Sequence, residues 1–154
     1  SNISALFERR VPLEKEPRLL LTYHCCSYSM KNCILIIDDE EDMCWAISHI
    51  LKPQGQSIVT AASGKEACRK LSKGRYSLVF LDAKMPDMDG LDVARFANKL
   101  ANHKPQIIMI SGYHYANDPI ICNAIEEGLI ASFLSKPFTN EEILLLYHAH
   151  GNAV

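Results

Sequence analysis

No apolar run in the sequence exceeds five residues, far short of the ~20 that a membrane-spanning helix needs. The stretch "LLLTYHCC" is also too short and too polar to be the apolar heart of a secretory signal. Basic charge is equally scarce. Lys and Arg number 16 against 18 Asp and Glu, a formal net charge of −2 at pH 7. That balance leaves no electrostatic footprint for direct nucleic-acid binding and no polybasic patch for a membrane surface. The cysteines Cys25, Cys26, Cys33, Cys44, Cys68 and Cys122 contain no C-x-x-C pair, so a zinc ribbon or finger is not indicated. Most of them fall inside apolar segments and read as buried, reduced thiols of a cytoplasmic protein rather than a disulfide framework. No internal repeat or low-complexity segment interrupts the chain.

What is present fits one globular domain. The chain of 154 residues is 48% apolar and 22% charged, enough to bury a real core. Residues 1–29 are unlike the rest, with two prolines, mixed charge and no sustained period. They are expected to be a leader, tag or extension outside the domain proper. The domain is expected to run over residues 30–150, starting at Met30, with 151–154 as a tail.

From Lys31 short apolar runs alternate with helical periodicity. "CILII" (33–37), "SIVTA" (57–61), "SLVFL" (77–81), "QIIMI" (106–110) and "ASFLS" (131–135) read as buried strands. Met43, Ala46, Ile47, Ile50 and Leu51 fall at i, i+3, i+4, i+7 and i+8, the stripe of an amphipathic helix that Pro53 and Gly55 end. Further helices are expected from Ser63-Gly64 to Gly74, from about Gly90 to Leu100, and through Ile120, Ile121, Ala124 and Ile125 to Gly128. The last begins at Thr139, whose partner Glu142 three residues on makes a capping box. Five β–α units of this kind force a parallel sheet covered on both faces, with right-handed crossovers: a doubly wound α/β fold.

Ligands of such sheets gather beyond the carboxyl ends of the strands, and the polar residues collect there. Asp38, Asp39, Glu40, Glu41 and Asp42 follow the first strand, Asp82 the third, Ser111-Gly112 the fourth and Lys136-Pro137 the fifth. Three carboxylates crowded together repel unless a cation joins them. Mg²⁺ (or Mn²⁺) suits one or two carboxylates with waters and a phosphate. Ser111 and Lys136 are donors suited to the oxygens of a phosphoryl group, which a carboxylate can itself accept as nucleophile. Taken singly each residue has a plainer reading. Asp38 and Asp39 serve equally as N-cap and first-turn acid of the next helix. Asp87 and Asp89 are expected to be turn residues beside Pro86 and Gly90. An EF-hand loop around them fails, since its first and twelfth positions would be Met85 and Phe96.

Four segments, "ILIIDDEED" (34–42), "LVFLDAKMPDMDG" (78–90), "IIMISGY" (107–113) and "FLSKPF" (133–138), occur in the order found in response-regulator receiver domains of two-component signalling. The chain resembles that family from residue 31 to about 148. The resemblance implies a flavodoxin-like five-stranded parallel sheet in the order 2-1-3-4-5, a topology for which a receiver is a standard example. It implies that Asp82 accepts a phosphoryl group from a histidine kinase or phosphotransfer protein, so that the domain catalyses its own phosphorylation and dephosphorylation and nothing else. Asp39, Asp82 and the backbone carbonyl of Lys84 would ligate Mg²⁺, with Asp38 acting mainly through water. Lys136 would pair with a phosphoryl oxygen, and its peptide to Pro137 would be cis. Ser111 and Phe133 would be the switch pair, reshaping the helix 4-strand 5-helix 5 face for a partner or a homodimer. Phe133 lacks the hydroxyl that many members carry there as Tyr.

Three other classes are set against this reading. A haloacid-dehalogenase-like phosphatase wants a second Asp two residues after the nucleophile, where this chain has Lys84. An FMN or dinucleotide module needs a phosphate-cradling glycine loop where this chain has five acids. A degenerate receiver, acting as a phosphorylation-independent interaction domain, has no need of the acidic pair, acceptor, hydroxyl and lysine together.

Overall fold

The structure, a computed structural model, describes residues 33–100, 103–113 and 117–151. The expectations for residues 1–29, Met30 and the tail after Gly151 lie outside these residues, as do Cys25 and Cys26. Among the described residues, five strands alternate with five α-helices: β1 (Cys33–Ile37), α1 (Glu41–Leu51), β2 (Ser57–Ala61), α2 (Gly64–Lys73), β3 (Leu78–Asp82), α3 (Gly90–Lys99), β4 (Gln106–Ser111), α4 (Pro119–Glu126), β5 (Ser132–Ser135) and α5 (Asn140–His150). All neighbouring strands pair in parallel, in the order β2-β1-β3-β4-β5. The doubly wound sheet expected from the sequence is therefore the fold.

Side-chain parity along the strands divides the core. Leu35, Ile37, Val79, Leu81, Ile107 and Met109 pack on the face covered by α2, α3 and α4. Ile34, Ile36, Phe80, Ile108 and Ile110 pack on the other, against Cys44, Ile47 and Leu51 of α1 and Ile143 and Tyr147 of α5. Every residue of β1 and β3 is buried, which is why these strands show unbroken apolar runs rather than alternation. At roughly 1.5–3 kcal/mol for each large aliphatic or aromatic side chain buried, these two layers dominate the stability.

The helix signals act as the sequence implies, with corrections. Thr139 Oγ1 accepts from the Glu142 amide at 3.2 Å and the Thr139 amide donates to Glu142 Oε2 at 2.7 Å, closing the capping box. Gly55, at φ 76°, ends the 3₁₀ turn that follows α1. On α4 the expected apolar stripe is only half used: Ile121 and Ala124 are buried, while Ile120 and Ile125 are exposed. Four apolar residues at these positions span more of a helix's circumference than the sheet can cover. On α1 the buried stripe is Cys44, Ile47 and Leu51, with Met43, Ala46 and Ile50 at its margin. Of the described cysteines, Cys33 and Cys44 are buried, and Cys68 and Cys122 are half-buried rather than fully inside.

Candidate functional site

Strand register assembles the polar residues. Ile37 lies opposite Leu81, so the next residues, Asp38 and Asp82, leave the sheet side by side. Asp82 itself is the last residue of β3, paired with Ile110, one position later than the apolar run suggests. Ser111 pairs with Ser135, and the Lys136 amide donates to the Ser111 carbonyl at 2.9 Å, carrying the ladder one step beyond β5. The Lys136–Pro137 peptide is cis. Asp38, Asp39 and Asp82 thus bring one carboxylate oxygen each to within 4.8 Å of one another. Lys136 Nζ stands 3.5 Å from both Asp38 Oδ2 and Asp82 Oδ1.

The electrostatics of this group are those of a crowded anion cluster. Asp38 and Asp82 are 2% and 6% exposed, whereas Asp39 is open to solvent. Burial, then the charge of Asp38, pushes the Asp82 carboxyl up to about 6, against the pull of Lys136 and of the Lys84 amide that donates to it. Burial likewise raises Asp38, outweighing the Glu40 amide and Lys136. Burial alone would lower Lys136, but Asp38, Asp82 and Glu40 together outweigh it and raise its pKa. One ammonium facing three carboxylates leaves the cluster short of positive charge. An all-oxygen donor set with one solvent-facing member fits a hard divalent ion that keeps some of its waters. The cleft in front, about 610 Å³, is bordered by Asp39, Asp82, Lys84, Met85, Tyr113 and Lys136.

Several residues behave differently from their plainer readings. Helix α1 begins at Glu41, so neither Asp38 nor Asp39 is its cap; Asp38 Oδ1 instead accepts from the Glu40 amide at 2.9 Å. Asp89 is the N-cap of α3, accepting from the Leu91 amide at 2.9 Å, and lies 3.6 Å from Lys84 Nζ. Asp87 is more than a turn residue: its two oxygens accept from the Gly64 and Lys65 amides, both at 3.0 Å. No local signal could reveal that, because the partners are 23 and 22 residues away. Ser111 is buried, and its hydroxyl accepts from the Tyr113 amide at 3.0 Å. Phe133 is half-buried against the α2–α4 layer. The Cys44 thiol, close behind the cluster, is pushed up to about 11 by burial and by Asp38, so it stays protonated.

The molecule is a doubly wound α/β domain with an acidic cluster and a lysine at the carboxyl edge of its sheet, where domains of this class bind their ligands. Comparison with known proteins narrows the class. Residues 34–148 match the family described as "Response regulator receiver domain". The response regulator protein TodT of Pseudomonas putida is 33% identical over 111 residues, 72% of this chain and 47% of that protein. The transcriptional regulatory protein GlrR of Escherichia coli is 31% identical over 121 residues, 79% of this chain and 26% of that protein. The chain spans less than half the length of these relatives. Among solved structures, the chemotaxis response regulator CheY4 of Vibrio cholerae superposes with a TM-score of 0.69 at 26% identity, over 77% of this chain and 97% of that one. A CheY-like receiver domain from Methanospirillum hungatei gives 0.70 at 24% identity, over 79% and 94% of the two chains, a likeness of fold. The chain belongs to the response regulator receiver domain family.

Proposed function

We propose that this receiver domain is a phosphoacceptor of a two-component signalling system, with Asp82 as the residue modified. The observation that carries the reading is the convergence of Asp38, Asp39 and Asp82 within 4.8 Å, with Lys136 3.5 Å from two of them. A carboxylate oxygen of Asp82 attacks the phosphorus of a phosphohistidine on a partner kinase or phosphotransfer protein. The P–N bond breaks, its electron pair stays on the imidazole, and an acyl phosphate forms on Asp82. Mg²⁺ (or Mn²⁺), held by Asp39, Asp82 and the Lys84 backbone carbonyl with Asp38 acting through water, would supply charge stabilisation for the transferring oxygens. Lys136 exchanges a carboxylate contact for a phosphoryl oxygen, and the Ser111 hydroxyl turns toward the new oxyanion. Phe133 then moves inward, held by packing alone because it has no hydroxyl.

The output is a change of the surface formed by α4, β5 and α5, where Ile120, Ile125 and Leu145 are exposed; a partner or a second copy docks there. The domain proper covers residues 30–150 and works in the cytoplasm, where its kinase and phosphate donors are. The test is labelling of the full chain by acetyl phosphate or phosphoramidate. Label that depends on Mg²⁺ and is lost in Asp82→Asn is the expected result. Unlabelled wild-type chain overturns the reading.

A further inference from the structure

The loop joining β3 to α3 lines the cleft, and it is fastened at two levels. At its base the Gly90 amide donates to the Ala83 carbonyl at 2.9 Å, and Lys84 bridges to Asp89. At its tip both oxygens of Asp87 accept from the first two amides of α2, those of Gly64 and Lys65. Beside it Met88 lies so close to α2 that a Cβ on Gly64 would come within 2.5 Å of the Met88 Cβ. These amides belong to the group a helix cannot satisfy from within. The helix's own cap, Ser63, spends its hydroxyl on the Glu66 amide and its carbonyl on Ala67. Asp87 therefore supplies what α2 lacks, across a gap in sequence of more than twenty residues.

Helix α2 follows β2, the edge strand, with β1 lying between β2 and β3. The tip is thus anchored to a helix that hangs from another part of the sheet. Two residues, Met85 and Pro86, separate the anchor from Lys84, whose amide donates to Asp82.

We propose that Asp87 is a positioning residue: by tying the β3–α3 loop to the N-terminus of α2, it fixes the Lys84 backbone in the cleft and sets the cleft's affinity for its cation. The inference rests on the phosphoacceptor reading for the identity of that cation. Asp87 touches neither Asp82 nor Lys136; it acts through the loop.

The test uses the full chain freed of metal, with Mg²⁺ affinity measured by calorimetry and urea unfolding in EDTA as the gauge of fold. Asp87→Ala is expected to weaken Mg²⁺ binding on the order of tenfold, as removal of a residue orienting a metal ligand does. Asp87→Glu, whose carboxylate can still reach the two amides, restores most of it. Ser63→Ala loosens the same helix end without cutting the tie, and leaves Mg²⁺ affinity at the wild-type value. Asp87→Ala binding Mg²⁺ like wild type overturns the inference, as does an equal loss in Ser63→Ala, which would make the role that of a helix cap alone. Wild-type chain that neither binds Mg²⁺ nor labels overturns the phosphoacceptor reading, and this inference with it.

Discussion

As the proposed phosphoacceptor, Asp82 carries two opposed demands in one side chain: a nucleophile must be ionised, and burial beside Asp38 favours the neutral form. Its carboxyl titrates at about 6 in the folded chain against an ordinary 3.8. Between those values the folded chain holds a proton that the unfolded chain has released. The stability this lends is fully present below 3.8 and is lost as pH rises through about 6. Metal-free protein should therefore lose stability to urea between pH 5 and pH 7, by about 1.3 kcal/mol from this group. Asp82→Asn should flatten that slope and be the more stable protein at pH 7 in EDTA; an unchanged slope would locate the strain elsewhere. Lys84 and Tyr113 are exposed and border the cleft, and on the proposed reading they would screen an acyl phosphate from water. Lys84→Ala and Tyr113→Ala are each expected to shorten the phosphorylated half-life, read from decay of label after donor removal.

At the scale of elements, the ends of β1, β3 and β5 carry the clustered Asp38, Asp39, Asp82 and Lys136, and helix ends hold the adjoining loops. Gly90 opens α3 where a Cβ would lie 2.5 Å from the Asp82 carbonyl oxygen and 2.9 Å from the Ala83 Cα. Backbone cannot yield there without moving the end of β3. Gly90→Ala should lower stability by about 2 kcal/mol, the usual range for a forced fit, and should depress labelling of Asp82 more than stability explains. The capping box of α5 serves the opposite flank, fixing the turn that carries Lys136 and Pro137. Thr139→Ala should remove about 1 kcal/mol of stability in urea melts. The side chains of α4 follow another logic. Ile120 and Ile125, which the sheet cannot cover, stay exposed and leave apolar surface on the side proposed for output.

For the molecule as a whole, five parallel strands bring residues from positions 38 to 136 to one edge, and the cluster they form is short of positive charge. On the proposed reading the folded state is coupled to a cation. A ligand at ten times its dissociation constant adds about 1.4 kcal/mol to stability, roughly 4 °C for a domain of this size. Mg²⁺ should raise the thermal midpoint of the wild type by that order, and Asp39→Ala should abolish the shift. No helix among the described residues is long and apolar enough to cross a membrane.

The sequence by itself determined the alternation of strands and helices, because burial on both faces writes itself as unbroken apolar runs and amphipathic stripes as a 3.6-residue period. It also located Asp82, Ser111 and Lys136, since each stands where an apolar strand ends on a polar group. Tertiary structure decided the rest. Register, a property of paired strands, set Asp38 beside Asp82 and carried β3 one residue further, to Asp82 itself. Packing decided which apolar residues of α4 stay outside. Asp87 is the clearest case: its neighbours in sequence describe a turn, while the amides it satisfies belong to a helix that only the folded sheet brings within reach.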